Sequence, residues 1–371
     1  MLRPPAILQL LPALDSGGVE RGTLEIAEAQ LAAGFRAVVA SRGGRLAGEL
    51  EALGATHLTL PLDAKSPPAL WRNAGMLATV AQEHGVALIH ARSRGPAWSG
   101  LLAARRLGVP FVTTYHGTYS EGWPGKRMYN SVMARGDRVI AISRFIAGLV
   151  EARHGTDPAR IRVIPRGVDP RRFDPWLVAP ERVAAQRMAW QVPDAAPVLL
   201  LPARLSRWKG QATLIGALAA LPDAVAVLAG DTAGRDAYVA QLTAEAGRLG
   251  LLARLRFAGH VTDMPAALLA ADVVIHASTQ AEAFGRSVIE AQAMARPVIA
   301  ADLGGPRETV RHGETGWLVP PGDATALAMA LRQVLALPEA ERRRIGAAAR
   351  LGVPAMAAMQ EATLATYREL L

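Results

Sequence analysis

The feature that most constrains this chain is a regular alternation of short apolar runs with longer helical stretches. The runs are rich in Val, Ile and Leu, and polar residues do not occupy every second position. A strand of this kind is buried on both faces, which is typical of a parallel sheet covered by helices. We therefore predict an α/β protein. Strands are predicted near residues 6–11, 37–40, 57–60, 87–91, 111–115 and 138–142, and again near 197–201, 224–229, 254–258, 273–276, 297–301 and 316–319.

The alternation occurs twice, which predicts two domains. The 371 residues agree with this number, because a domain has on the order of 150 residues. The segment 165–197 is rich in Pro and Arg and is typical of a domain boundary. We predict doubly wound domains at 1–168 and 169–354. A helix near 355–371 has no following strand, and packing back on the first domain is one arrangement open to it.

Composition excludes several classes of protein. The chain is 51% hydrophobic with a mean hydropathy of +0.17, which is too apolar for a disordered chain. It has no cysteine, so disulfides, thiolate metal sites and cysteine nucleophiles are excluded, and a cytoplasmic location is expected. No apolar run is long enough to span a bilayer. The run at the amino terminus is interrupted by Pro12 and is interpreted as a first buried strand rather than a signal peptide.

The net charge of +9 is concentrated in the first half. Residues 1–168 carry 20 basic and 12 acidic side chains, or +8, whereas residues 169–371 carry 21 and 20, or +1. This asymmetry predicts that the first half meets an anionic partner. Nucleic acid is the alternative, but the arginines are not interleaved with aromatic residues, so we expect none. We expect an anionic partner, and a peripheral contact with an anionic membrane surface is one form that this takes.

Paired glycines, Gly17 and Gly18, follow the first predicted strand. Glycines at a strand-to-helix turn let the backbone approach a ligand closely, and the start of the helix offers N–H groups to an anion. An ordinary turn would use the same residues, so this alternative stays open. The third glycine of the dinucleotide-binding fingerprint is absent.

Charged residues follow two strands of the second half. Arg204 and Lys209 come after the strand near 197–201, and their charges suit phosphate oxygens. Glu282 and Glu290 flank a turn at Gly285 after the strand near 273–276. Carboxylates suit sugar hydroxyls, and N–H groups at a helix start suit phosphates. The alternatives are a solvated loop cation at Lys209 and carboxylates that only complement a helix dipole.

These motifs resemble those of a known family. In order along the chain they are Gly17–Glu20, Tyr115-His116-Gly117, 141–143, Arg204, Lys209-Gly210, Gly230-Asp231, Glu282 to Glu290, Gly304-Gly305 and Glu308. The chain resembles, over nearly its whole length, retaining glycosyltransferases of the GT-B fold, and more narrowly their family four. The resemblance implies two Rossmann-like domains facing across a cleft, and transfer of a hexose from a nucleotide diphosphate sugar.

The resemblance also implies roles for individual residues. Arg204 and Lys209 would neutralise the diphosphate as charge develops on the leaving nucleotide. Glu282 would hold hydroxyls of the donor sugar, and His116 would lie against that sugar. An ordinary strand-end histidine is the alternative for His116, and the same alternative applies to His260 and His276. The residues implied in binding the nucleotide sugar are Gly17, Gly18, Gly230, His260, Val261, Phe284, Gly285, Arg286, Ser287, Val288 and Glu290.

The acceptor is expected at Arg92, Arg94, Trp123 and Arg144 of the first half. Their alternative is an ordinary surface position in an arginine-rich chain. The segment 91–144 also looks similar to mannosyltransferases of lipopolysaccharide core assembly, which implies GDP-mannose as donor. UDP-glucose and UDP-N-acetylglucosamine stay open, because no residue decides the base.

Mechanism is predicted in outline. No carboxylate nucleophile is evident in the first half, so we expect front-face displacement, in which the departing diphosphate takes the acceptor's proton. No Asp-x-Asp triplet occurs in the sequence, so we expect activity without a metal ion. From another class, a GT-B nucleotide-sugar epimerase would share the same architecture.

Overall fold

The structure is a computed structural model that describes residues 4–15, 17–122 and 124–371. Its internal contacts divide the chain into two compact units. The first runs to Pro165 and also includes Ala357–Leu371, and the second is Arg166–Met356. Within the described residues, no helix combines the length and the apolar character needed to cross a membrane.

The first unit contains a parallel sheet of seven strands in the order β3-β2-β1-β4-β5-β6-β7. Strand β1 lies at the centre, where Ile7 pairs with Ala37 on one side and Leu88 on the other. The strands are β1 Ala6–Leu10, β2 Arg36–Ser41, β3 Thr56–Thr59, β4 Val86–Ala91, β5 Phe111–Tyr115, β6 Arg138–Ala141 and β7 Ile161–Val163. The helices are α1 Gly18–Ala32, α2 Ala47–Ala52, α3 Pro67–Glu83, α4 Arg94–Leu107, α5 Pro124–Asn130 and α6 Arg144–His154.

Six of these strands lie at the predicted positions, and the sequence interpretation missed β7. This strand has only three residues, with Arg162 in the middle, and pairs on one side only, with β6. The central arginine leaves no continuous apolar run, which is the signal by which the other strands, including the edge strand β3 of the same sheet and both edge strands of the second unit's sheet, are predicted.

The second unit contains a parallel sheet of six strands in the order β10-β9-β8-β11-β12-β13. All six lie at the predicted positions. They are β8 Val198–Pro202, β9 Val225–Ala229, β10 Leu255–Gly259, β11 Val273–His276, β12 Val298–Ala301 and β13 Trp317–Val319. The helices are α7 Pro180–Ala189, α8 Gln211–Leu218, α9 Asp236–Arg248, α10 Met264–Ala270, α11 Arg286–Ala293, α12 Pro306–Thr309, α13 Ala324–Ala336 and α14 Glu339–Leu351. The core is apolar, with Leu199, Ile275 and Ile299 almost fully buried.

The last helix, α15 Met356–Arg368, packs on the first unit from Ala357 onward. The Tyr367 hydroxyl lies 2.7 Å from Nδ1 of His90, and both side chains are fully buried. The Gln360 amide donates to the Glu25 carbonyl at 2.7 Å. A polar contact inside the core therefore fixes this helix, since a buried hydroxyl or imidazole without a partner is costly.

In each sheet the strand order reverses beside the first strand of the unit, between β1 and β4 and between β8 and β11. Ligands of open parallel sheets bind at the carboxyl ends of the strands at such a point. The loops after β8 and β11 are therefore the first place to look for a site in the second unit, and the loops after β1 and β4 in the first.

Candidate active site

Two loops at the switch point of the second unit pack backbone against backbone. Gly210 has φ +76°, and a Cβ at this position would lie 1.9 Å from the Ala277 carbonyl oxygen. The Thr279 N–H donates to the Trp208 carbonyl at 2.8 Å. Only glycine permits this approach, so the sequence holds the Lys209 loop against the end of β11.

A third loop, after β12, fixes the backbone of Glu282. Gly304 bridges to Glu282, and the Gly305 N–H donates to the Glu282 carbonyl at 2.8 Å. Gly304 has φ +71°, and a Cβ on it would lie 2.5 Å from that carbonyl oxygen. The paired glycines are therefore explained by close packing against the Glu282 loop.

Three side chains converge on one oxygen of Glu282. Lys209 Nζ and Ser278 Oγ donate to Oε1, and Nε2 of His276 lies 2.9 Å from the same atom. The Glu282 side chain is 13% exposed. Among the described residues, no group donates a hydrogen bond to Oε2. One carboxylate oxygen is thus held, and the other is left for a ligand.

The electrostatics keep this carboxylate ionised. Burial alone would raise the pKa of Glu282, but the charges and hydrogen bonds of His276 and Lys209 outweigh it and hold the pKa well below its usual range. At neutral pH Glu282 is therefore an acceptor only, which suits hydroxyl groups.

Arg204 differs from Lys209 in that its charge is not balanced. The residue is exposed and forms no ion pair with any residue that the structure describes. Its carbonyl accepts a hydrogen bond from the buried Gln211 side chain at 3.1 Å, which fixes the loop. The guanidinium is thus on a fixed backbone and open to an anion.

Helix α11 begins after Gly285, which has φ +87°. The Val288 N–H donates to the Gly285 carbonyl at 3.0 Å. This N–H group therefore has a partner in the first turn of the helix, and its contact with the diphosphate stays a prediction. The side chains of Val288 and Phe284 are buried and contribute packing. Arg286 donates to Glu290 at 2.9 Å, one turn further along α11.

Other residues implied in nucleotide binding also lie on loops at the carboxyl edge of this sheet. A Cβ on Gly230 would lie 2.2 Å from the Ala203 carbonyl oxygen, so this glycine lets the loop after β9 pass against the loop after β8. His260 is exposed and Val261 half-buried, directly after β10. Ser287 is the second residue of α11, so its backbone N–H lies at the start of that helix. Their contacts with a nucleotide stay predictions.

In the first unit, Gly17 and Gly18 precede and begin α1, and Gly17 has φ +145°. A Cβ on Gly17 would lie 2.6 Å from Oε2 of Glu20. The Glu20 carboxylate therefore lies at the helix N-terminus, where the sequence predicts an anion. Burial raises the pKa of Glu20, although hydrogen bonds from backbone N–H groups oppose this.

Arg92 was predicted to bind the acceptor, but the structure places its side chain in the interior of the first unit. Its side chain is 2% exposed, and Nη1 donates to the buried Gln9 amide oxygen at 3.2 Å. Burial lowers its pKa, while Tyr367 and the carboxylates of Glu25 and Glu20 oppose the shift. An arginine after a strand turns inward here because polar groups inside the unit receive it.

Arg94 also has an internal role. Its Nη1 donates to the Asn130 amide oxygen at 2.8 Å, and its guanidinium lies 4.4 Å from the centre of the Tyr119 ring. Burial raises the pKa of Tyr119 to about 12, in spite of the nearby arginine charge. Arg94 therefore ties the loop after β5 to α5, which does not support its assignment to the acceptor.

For the other predicted residues of the first unit, the structure gives a position but no evidence of a role. Arg144 is exposed at the first residue of α6, and His116 is half-buried directly after β5. Trp123 lies outside the described residues. The roles of all three stay predictions.

His276 and Ser278 were not identified from the sequence as parts of the site. His276 ends β11, and Ser278 follows two residues later. The available signal was two polar residues directly after a fully apolar strand, at the switch point. That signal is also given by ordinary turn residues, so it did not separate them from their neighbours.

The two Rossmann-like units match the GT-B architecture of glycosyltransferases. Residues 16–172 match the profile of Glycosyltransferase Family 4, and residues 183–351 match the profile of Glycosyl transferases group 1. The chain therefore belongs to the glycosyltransferases that these two profiles describe.

Individual relatives agree with this assignment. The chain is 34% identical over 287 residues to a D-inositol 3-phosphate glycosyltransferase of Salinispora tropica; the match covers 69% of this chain and 58% of that protein. The chain therefore spans under two thirds of that relative's length. A glycosyltransferase structure from Rickettsia africae is 33% identical, with a TM-score of 0.91 over 100% of this chain and 99% of that one. Anabaena HepE, solved with UDP-glucose, is 28% identical, with a TM-score of 0.87 over 98% and 100%.

Proposed function

We propose that this protein is a retaining glycosyltransferase that moves a hexose from a nucleotide diphosphate sugar to an anionic glycan or glycolipid. The observation that carries the proposal is the arrangement around Glu282, which combines an ionised carboxylate having one open oxygen with the cations Lys209 and Arg204. Carboxylates bind hydroxyls and paired cations bind a diphosphate. A nucleotide sugar contains both groups.

The chemistry follows from these charges. The acceptor oxygen forms a bond to the anomeric carbon, while the bond from that carbon to the diphosphate oxygen breaks. Negative charge develops on the departing diphosphate, and Arg204 and Lys209 stabilise it. The same diphosphate takes the acceptor's proton on the face where it leaves, so the configuration is retained. We propose that these cations suffice without a metal ion.

Two donors follow from different observations. GDP-mannose follows from the resemblance of residues 91–144 to lipopolysaccharide core mannosyltransferases. UDP-glucose is favoured by the similarity to HepE, which was solved with that donor. UDP-N-acetylglucosamine is a further candidate among the UDP-linked donors. We therefore place GDP-mannose and UDP-glucose first in any test.

The acceptor is proposed from charge. The excess of basic residues lies in residues 1–168, and the Salinispora tropica relative is named for a phosphate-bearing acceptor. Both support an anionic acceptor, in lipopolysaccharide core or another cell-envelope polysaccharide. We propose peripheral contact with an anionic membrane surface on its cytoplasmic side, and raised salt should weaken that contact.

A donor screen tests the proposal. UDP- and GDP-linked sugars are added to the protein in EDTA, and thermal unfolding is recorded. A donor at one hundred times its Kd stabilises the folded protein by about 2.7 kcal/mol. Turnover with that donor and a phosphorylated glycan should then give a product of unchanged anomeric configuration by NMR.

Four outcomes would contradict the proposal in different ways. No stabilisation by any nucleotide sugar would reject the class of donor. Activity that is lost in EDTA and returns with Mg²⁺ would reject metal independence, and trapping of a glycosylated Asp or Glu would reject front-face displacement. Epimerisation of the donor without an acceptor would favour the epimerase instead.

A further inference from the structure

We infer that His276 is a positioning residue that determines which oxygen of Glu282 faces the donor sugar. This inference rests on the proposed function, since it assigns Oε2 to a sugar hydroxyl. His276 Nε2 lies 2.9 Å from Oε1, the oxygen that Lys209 and Ser278 also contact. With three groups on Oε1, rotation of the carboxylate is blocked, and Oε2 is directed away from them.

The position of His276 is fixed by the sheet. It is the last residue of β11 and pairs with Ala300 of β12. The side chain is only 5% exposed. Lys209, in contrast, lies on the short 3-10 turn Arg207–Lys209 and reaches Glu282 through a flexible stem. The strand therefore holds the histidine more firmly than the loop holds the lysine.

His276 has no other polar task in the structure. Both ring nitrogens are buried and neither forms an aligned hydrogen bond with the described residues, so the 2.9 Å approach of Nε2 to Glu282 Oε1 is a contact of charge. A buried imidazole nitrogen without a partner is costly, and that cost is offset only by this contact. A proton on Nε2 stabilises the Glu282 carboxylate at this distance, which gives the histidine an electrostatic role rather than a packing role alone.

Glu282 needs a second cation or donor beside it because Lys209 has two proposed partners. Its ammonium balances Glu282 in the structure, but the proposed reaction also requires it at the diphosphate. When the Lys209 ammonium moves toward the phosphate oxygens, Glu282 would lose one of its two charged partners. His276 and Ser278 then keep Oε1 in place, so that one lysine can serve both groups.

The test separates binding of the sugar from binding of the nucleotide. Titration calorimetry with UDP and UDP-glucose, or with GDP and GDP-mannose if the screen selects them, measures both affinities. His276→Leu should lower the affinity for the nucleotide sugar about tenfold, which is equivalent to the loss of one good hydrogen bond. It should change the affinity for the free nucleoside diphosphate by less than about twofold, because the diphosphate contacts are retained.

Two variants provide matched tests. His276→Gln places an amide N–H near the position of Nε2 and should restore most of the affinity for the nucleotide sugar. Ser278→Ala removes a smaller contact to the same oxygen and should show the same pattern with a smaller loss, even if His276→Leu folds poorly. His84→Leu, in the first unit and remote in sequence, is the control and should change neither affinity.

The possible results are distinct. Equal loss of affinity for nucleotide and nucleotide sugar would overturn the inference, since His276 would then act on the fold of the whole site. Unchanged affinities in both His276→Leu and Ser278→Ala would overturn it as well. If the unmodified protein bound no nucleotide sugar, the proposed function itself would fail, before any variant was compared.

Discussion

The two sheets use the polar residues at their switch points in opposite ways. In the first unit Gln9 lies on β1, His90 on β4 and Arg92 directly after β4. All three are nearly fully buried and form hydrogen bonds with other interior groups. In the second unit Lys209 and Glu282 follow β8 and β11 and keep access to solvent. With the same topology, polar residues at the switch point stabilise the interior of the first unit and form a candidate site in the second.

The difference shows what a strand-end charge means. At the end of β4 an arginine finds an acceptor inside the unit, because the Gln9 amide oxygen lies in the interior. At the end of β8 the interior is apolar, so charged groups have partners only at the surface. Whether such a charge is functional is decided by what lies beneath it, which a local motif does not reveal.

The largest expected effect is on activity, from Lys209→Ala. Removal of a cation that stabilises the developing charge should lower kcat by about 10²- to 10³-fold. The fold should survive, because His276 and Ser278 still contact Glu282. Steady-state kinetics and thermal unfolding measure both quantities. Lys65→Ala, at an exposed position of the first unit, is the control, and equal activity in both variants would remove Lys209 from the site.

The next effect is on stability in the second unit, from Gly304→Ala. The new Cβ would meet the Glu282 carbonyl at 2.5 Å, and φ is +71°. We expect a loss of about 2–3 kcal/mol in the free energy of unfolding, together with a loss of donor affinity. Gly313→Ala provides the control, because it has a similar φ of +79° but no neighbour within 4 Å. Equal losses would assign the effect to backbone strain alone.

In the first unit, Arg92→Ala should act on stability and not on the acceptor. We expect a loss of about 2 kcal/mol from the hydrogen bond to Gln9 and the packing of the side chain. Urea unfolding gives the loss, and the KM for the acceptor in the folded protein should be unchanged. A raised KM with unchanged stability would restore the role predicted from the sequence and remove the contrast between the units.

A smaller effect is expected from removal of the Tyr367 hydroxyl. Tyr367→Phe leaves the buried Nδ1 of His90 without its 2.7 Å partner, which costs about 1–2 kcal/mol. The same change in the second unit, Tyr238→Phe, removes a hydroxyl that lies 3.3 Å from its partner at a less buried position. It should cost less. The reverse order in chemical unfolding would show that the polar interior of the first unit is not special.

The smallest effect concerns Glu369, which follows α15. Arg162 and Arg138 hold the pKa of this carboxyl to about 2. A lowered pKa means that its contribution to stability is present above the ordinary value of 4.5 and is lost as the pH falls toward 2. The pair is partly exposed, so Glu369→Gln should cost less than about 1 kcal/mol at pH 7. High salt should reduce the difference, and a difference that is independent of salt and pH would contradict the ion-pair origin.

Much of the fold follows from the sequence. Most strands leave continuous apolar runs, so twelve predicted strands match observed ones, and of the strands in the described residues the one missed is β7, which has an arginine at its centre. The site was partly predictable for a different reason. Glycines required by close backbone approach, such as Gly210 and Gly304, occur beside the charged residues they position.

The errors share a physical cause. The sequence around Arg92 has the same form as that around Arg204, and only the tertiary structure shows that one side chain points inward and the other outward. His276 was missed because its partner, Glu282, is brought to it by the loop after β12 rather than by the local sequence. Contacts of this kind are non-local, and no spacing rule along the chain describes them.

The docking of α15 on the first unit has a consequence for synthesis on the ribosome. Residues 166–356 of the second unit are translated between β7 and the residues of α15 that close the first unit. At about 5–20 residues per second, that interval is roughly 10 to 40 s. During this time His90 lacks the hydroxyl of Tyr367. The buried polar groups of the nascent first unit therefore lack the contact with α15 until the second unit has been translated. A chaperone has that interval in which to bind the incomplete unit.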